Sequence, residues 1–325
     1  LKSLTSELSA PRDANGILIS APSKSEMLAA ADKSGIALFA DIQSGGYVDQ
    51  IGAFYTFDGN GKTLSKNAAG VLFRVNYSGG DKYSCVKIKN AKLDGGVTYD
   101  NANKSFNDGA YLTTGQYGSG IHAQGKNTLI CLDNVTVRGM AQAQSVTAGK
   151  GVAIFLQDGA KGYFNSVTVK NNYSSTKEGV IYADNGATKL HFSGDCTFVD
   201  NYKMSGTATD GISDIYLQSS QQGSLIVDES FRGHLTIAGI VADDVQFGLL
   251  EEGCTKLHSG AVFSRFGVAD SSATPSVIAG RLYFKVSDTQ SYRVDKNGWV
   301  SFGPLFNKLS YSGEGAVVYL LKNVS

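Results

Sequence analysis

Four stretches of this chain repeat one pattern, all in the same direction. They are Val86–Gly95, Ile130–Gly139, Gly162–Asn171 and His191–Asp200, the last with one extra residue before Asp195; Ser224–Gly233 is a weaker fifth copy. In each, an apolar residue (Ile88, Leu132, Phe164, Phe192) precedes a short polar turn at Asn90, Asn134, Ser166 or Asp195. A two-residue alternation follows. Ala91 and Leu93, Val135 and Val137, Val167 and Val169, Cys196 and Phe198 point one way, while Lys92, Thr136, Thr168 and Thr197 point the other. Period two marks a strand with one face in a core. Three copies follow a second apolar strand opened by glycine, at Gly120–Ala123, Gly151–Phe155 and Gly179–Ala183.

Units that recur in one orientation, without hairpin turns between them, bury their apolar faces only against their neighbours. That is a solenoid. A β-sandwich is the competing fold, and the missing hairpins disfavour it. Unequal spacing of the final apolar anchors (Leu93, Val137, Val169, Phe198, Phe231) means unequal loops on a coil of about 22 residues. The sequence therefore predicts an all-β chain, a right-handed parallel β-helix of about ten coils. Proline cannot donate to a sheet ladder, and none occurs between Pro22 and Pro275.

The ends read differently. Ser23 and Glu26 form a capping-box pattern ahead of strong helix formers through Asp32, followed by a strand from Gly35 to Ile42. A short N-terminal helical cap over the first coil would protect an open sheet edge. Leu282 to Phe302 alternates around Asn297–Gly298, a hairpin signal, and Val317–Leu321 could complete a C-terminal antiparallel β cap. The expected division is residues 1–66 for the N-terminal cap and first coil, 67–270 for the coils and 271–325 for the hairpin cap.

Helix, strand and then "FDGNGKTL" at 57–64 resembles the start of pectin-lyase-like right-handed β-helices. The strand Gly179–Ala183 followed by Phe198–Asn201 resembles the repeats of bacterial polymorphic outer membrane proteins and autotransporter adhesin passengers. The resemblance implies a secreted or cell-surface bacterial protein that binds through its solenoid. It also implies an alternative, because the same fold carries polysaccharide lyases and glycoside hydrolases.

Chemistry is sparse. Twenty-nine basic and 29 acidic side chains balance, which removes the electrostatic case for a nucleic-acid partner. Cys85, Cys131, Cys196 and Cys254 are far apart without metal-ligand spacing, so buried free thiols are expected, and no metal or cofactor. No apolar run reaches the ~20 residues of a transmembrane helix. The start, LKSLTSELSA, lacks a signal-peptide core, so any leader or anchor is expected outside this stretch. A glycosidase needs two carboxylates across a groove. Asp243–Asp244 is the only adjacent aspartate pair, and the Gly-His-Gly element of polygalacturonases is missing beside it. Asp133, Asp195 and Asp228 could approach on successive coils, but Asn165 and Ser166 interrupt that column. His122, His191, His234 and His258 show no ligand spacing. The outward threonines 136, 168 and 197 are explained by β-propensity.

The loops are the richest feature. The excursion from Gly95 to Gly118 carries Tyr99, Phe106, Tyr111 and Tyr117 among Asp, Asn and Gly, while Tyr173 and Tyr202 each follow an asparagine just after a strand. If the register holds, these six aromatics leave one side of the solenoid, where sugar stacking or protein contact would occur. The alternative is packing over the coil corner. The expected function is an adhesin-like contact with a host or environmental glycan or protein. The other readings are a polysaccharide-active enzyme centred on Asp243, Asp244 and the 95–118 loop, or a structural stalk.

Overall fold

The computed structural model describes residues 21–251 and five short strands beyond, 266–268, 276–278, 281–283, 291–294 and 298–301. Within 21–251, segments 45–48, 78–79, 108–109, 111, 115–119, 144, 146–148, 176–178, 206–207, 219–222 and 240–245 lie outside the description. The chain is a parallel β-helix. Two long sheets run its length, one of 14 strands and one of 8.

Each rung begins on the smaller sheet, whose strands 73–75, 121–124, 154–157, 181–183, 215–217, 235–239 and 266–268 all pair in parallel. A tight turn leads to the larger sheet, where 54–58, 84–94, 128–138, 161–165, 189–193, 225–227 and 246–250 pair in parallel. Halfway across, each strand bends. Asn90, Asn134 and Ser166 take up left-handed φ of 48°, 53° and 51° at that bend. Asparagine tolerates this region through local hydrogen bonding, and Asn134 Nδ2 donates to Asn90 Oδ1 at 3.0 Å. In the next rung the left-handed residue is Gly194 (φ 68°) rather than Asp195, because the extra residue there is absorbed as a glycine kink.

The core follows from the stacking. Ile88, Leu132, Phe164, Phe192 and Val227 form one inward column in direct register. Ile121, Ile154, Ile181, Ile215 and Ile237 form the facing column on the smaller sheet, each fully buried. Lys92, Thr136, Thr168 and Thr197 stack in register on the outer face, as the alternation requires. The eight strands of the smaller sheet make eight rungs among the described residues, against about ten expected, because long loops consume more chain per rung. Beyond the last rung, Arg281–Tyr283 and Ser276–Ile278 pair antiparallel onto the larger sheet, and Ser291–Val294 pairs antiparallel with Gly298–Ser301. The first pair gives the larger sheet an antiparallel end, and the 291–294/298–301 hairpin is a separate two-stranded sheet. Val317–Leu321 lies outside the described residues.

The single described helix, Lys24–Asp32, carries the complete Ser23/Glu26 capping box. It caps the first rungs from the side rather than across their open end. Met27, Ala30 and Ala31 bury themselves on Phe54, Cys85 and Leu129, which project from the outer face of the larger sheet. Further along that face, Lys24 Nζ sits 3.4 Å from the Tyr163 ring centroid, and Tyr163 stacks on His191 with centroids 4.3 Å apart. Cys85 and Cys196 are buried and Cys131 is half-buried, all as free thiols. The hydrogen bond with the neighbouring Cys131, and then burial, push the Cys85 thiol up. Cys254 lies outside the described residues.

Candidate functional site

The second half of each larger-sheet strand ends at one corner of the rung, and there the long loops begin. Asp94 is pinned by Arg138, whose Nε donates to its Oδ2 at 2.8 Å, and Gly96 N donates to its other oxygen. From this root the chain forms a small hairpin, Tyr99–Asp100 paired antiparallel with Ser105–Phe106. Asp100 closes the turn by accepting from the backbone of Ala102 and Asn103 and from Asn103 Nδ2. Later loops lie alongside. Thr113 bridges Gln142, Ala141 bridges Tyr173, and Tyr173–Ser174 pairs in parallel with Tyr202–Lys203. The loops of successive rungs therefore form a third, short sheet at this corner.

Four of the six aromatic candidates meet in one cluster. Tyr99 and Phe106 are edge-on at 5.3 Å, Phe106 and Tyr173 at 5.4 Å, and Tyr99 is tilted on Tyr173 at 5.6 Å. Tyr173 and Tyr202 stack with an interplanar angle of 15°. Tyr173 is only 6% exposed and packs with Val97, Ala141 and Met204, so its role is to weld the loops to the corner. Tyr99, Phe106 and Tyr202 are half-buried and form the accessible rim. Burial pushes the Tyr173 and Tyr202 hydroxyls up, and Tyr202 Oη donates to Asp200 Oδ1 at 3.1 Å. Tyr111 and Tyr117 lie outside the described residues, as do Asp243 and Asp244.

Beneath the cluster runs a buried amide ladder whose role the sequence does not announce. Asn172 Oδ1 accepts from Met140 N at 3.0 Å, while its Nδ2 donates to Val137 O and to Asn201 Oδ1. Asn201 Nδ2 in turn donates to Val169 O and to Asp214 Oδ1, each at 2.8 Å. Thr236 N donates to the remaining Asp214 oxygen at 2.7 Å. Asn172 and Asn201 are fully buried and Asp214 is 1% exposed. Burial pushes the Asp214 carboxyl up to about 6, against the lowering effect of these donors. The only advance signal was an asparagine directly before each of Tyr173 and Tyr202. Nearby, Lys66 is buried with Nζ donating to Thr113 Oγ1 at 3.2 Å, and burial lowers its pKa to about 8.

A second arrangement of rings escaped the sequence altogether. His122, Phe155, Tyr182 and Tyr216 occupy neighbouring rungs on the outer face of the smaller sheet, with His122–Phe155 centroids at 4.9 Å and Phe155–Tyr182 at 5.8 Å. They are buried, and His122 Nε2 lies 2.9 Å from Gln157 Oε1, which makes them a covered packing layer.

Among the described residues, no three His, Cys, Asp or Glu side chains converge as metal ligands. Asp133 registers with Asn165 and Ser193, Asp195 bridges Arg232, and Asp228 accepts from Ser230 N within its own turn, so the three aspartates form no acidic column. No described helix is long and apolar enough to cross a membrane. What the loop corner offers is half-buried rings beside exposed carboxylates and amides at Asp100, Asn103 and Asp200, the chemistry of a contact surface. The chain matches no family model, no curated protein and no solved structure.

Proposed function

We propose that this chain is a secreted or cell-surface binding module that contacts a host or environmental glycan or protein through its loop corner. The observation that carries the reading is the gathering of Tyr99, Phe106 and Tyr202 around the buried Tyr173, at the corner where the long loops emerge. Rings already braced against one another lose little freedom on binding, which favours them as contact residues. A rigid solenoid places that surface on one side of the molecule. The enzyme reading rests on Asp243, Asp244 and the 95–118 loop, and the two aspartates lie outside the described residues.

The test is binding of the purified chain to a glycan array and to extracellular matrix proteins, alongside reducing-end and unsaturated-product assays on acidic and neutral polysaccharides. Binding weakened about tenfold or more by Tyr202→Ala, with no turnover, supports the reading. Turnover of any polysaccharide, or binding indifferent to Tyr99, Phe106 and Tyr202, overturns it.

A further inference from the structure

The outer face of the larger sheet changes character where the helix ends its cover. One outward column passes in direct register from Cys131 to Tyr163, His191, Ile226 and Leu249, and stops at the exposed Arg281. The outward column beside it, Lys89, Asp133, Asn165 and Ser193, is polar throughout, as a water-facing column is expected to be. The first is aromatic or aliphatic over four successive rungs instead. Tyr163, His191, Ile226 and Leu249 are all half-buried, yet Ile226 and Leu249 join none of the buried apolar clusters among the described residues. The column calls for an apolar partner.

The direction of the helix says which one. Asp32, at its C-terminal end, pairs with Lys87 and accepts from Thr56 Oγ1 on the first rungs, while Lys24 sits over Tyr163 two rungs beyond Lys87. The chain therefore enters the helix at the Tyr163 end, and the residues before Ala21 approach from beside the apolar column. Rungs lie ~4.8 Å apart, so Tyr163 to Leu249 spans ~14 Å, about the length of five extended residues. Residues 16–20 read Gly-Ile-Leu-Ile-Ser and hold the only run of three aliphatic side chains ahead of the helix. Even fully stretched, Ile17 and Ile19 are close enough to Lys24 in sequence to reach every rung of the column. We propose that residues 16–20 dock in extended form along this column as a strap that continues the seat of the helix. Ile17 and Ile19, on one face of the extended segment, lie on His191, Ile226 and Leu249. A tethered segment forfeits no translational freedom on docking, which favours it over a second copy or a foreign protein. The strap lies on the first half of the larger-sheet strands, away from the loop corner, and does not rest on the binding role given to that corner.

The experiment is NMR on the whole chain with isoleucine and leucine methyls labelled. The expected result is NOEs from the Ile17 or Ile19 methyls to Ile226, Leu249 or the His191 ring. The double variant Ile17→Asp, Ile19→Asp should raise amide exchange about tenfold or more at 189–193 and 225–227, and leave 121–124 and 154–157 unchanged. Ile226→Thr keeps a β-branched residue at an outward strand position, so it retains the fold and should by itself shift the Ile17 or Ile19 methyl resonances. A sample mixing differently labelled copies separates a strap from a dimer. NOEs that arise only between copies, contacts to the column from other residues in place of 16–20, or Ile226 and Leu249 methyls indifferent to the double variant would each overturn the proposal.

Discussion

Asn172 and Asn201 satisfy buried backbone carbonyls at a corner where the sheet ladder is broken, and Asp214 ends their chain of hydrogen bonds. Removing the middle member leaves Val169 O and Asp214 Oδ1 without that donor inside the protein. Asn201→Ala should therefore cost about 3 kcal/mol or more, read as a lowered urea midpoint. Two buried titrating groups pull the pH dependence in opposite directions. Asp214 titrates near 6 when folded against an ordinary 3.8, because burial disfavours its charge. Its contribution is complete below about 4 and lost as pH rises through about 6, on the order of 3 kcal/mol. Burial first, and then Lys24, Lys161 and Lys189, hold His191 down to about 4 against 6.5. The unfolded chain protonates His191 across that interval while the folded one does not, so this contribution is lost as pH falls from about 6.5 to about 4. The unmodified chain should show a muted pH dependence of these two contributions. Asp214→Asn should melt progressively lower on acidification across that window, and His191→Gln progressively higher, by thermal scans at fixed ionic strength.

At the scale of elements, the helix 24–32 is a lid on Phe54, Cys85 and Leu129. Ser23→Ala removes half of its capping box and should weaken the helix by about 1 kcal/mol. The sensitive readout is local: faster labelling of the Cys85 thiol, with the global midpoint nearly unchanged. The turns obey a second rule. Gly151 has φ 52°, and a Cβ there would lie only 2.4 Å from Ile154 O, whereas Gly61 has φ 74° with nothing within 4 Å. Gly61→Ala should cost only the ~1–2 kcal/mol of a left-handed alanine. Gly151→Ala should cost clearly more, because the backbone of the following strand must move as well. Denaturation of the two variants side by side checks the difference.

Over the whole molecule, stability passes from rung to rung. Phe192 is 1% exposed and touches the rings of Phe164, Phe198 and Phe231, two of them on neighbouring rungs. Phe192→Ala should cost about 3–5 kcal/mol through the cavity it leaves. In a solenoid the loss falls on adjacent interfaces, so hydrogen exchange should rise most between residues 161 and 239 and least in rungs before residue 100. Uniform loss of protection would mean that the solenoid unfolds as one unit. The loop corner depends on this stacking, since it is assembled from loops of several rungs.

Local chemistry was enough to show the parallel β-helix. Period-two alternation set which side chains enter the core, Asn90 and Asn134 marked the bends, and Ser23 with Glu26 marked the helix start. Each of these signals lies within a few residues, where backbone sterics and burial act directly. The aromatic loop residues were also visible, but their meeting around Tyr173 was only conditional on register. What stayed hidden depends on residues about thirty positions apart being stacked one rung above another. The amide ladder, the seat of the helix on the sheet's flank, the covered rings from His122 to Tyr216, and the apolar outer column from Tyr163 to Leu249 all arise that way. Loop lengths decide which side chains become neighbours across rungs. That juxtaposition, rather than any local preference, is what only the tertiary structure could decide.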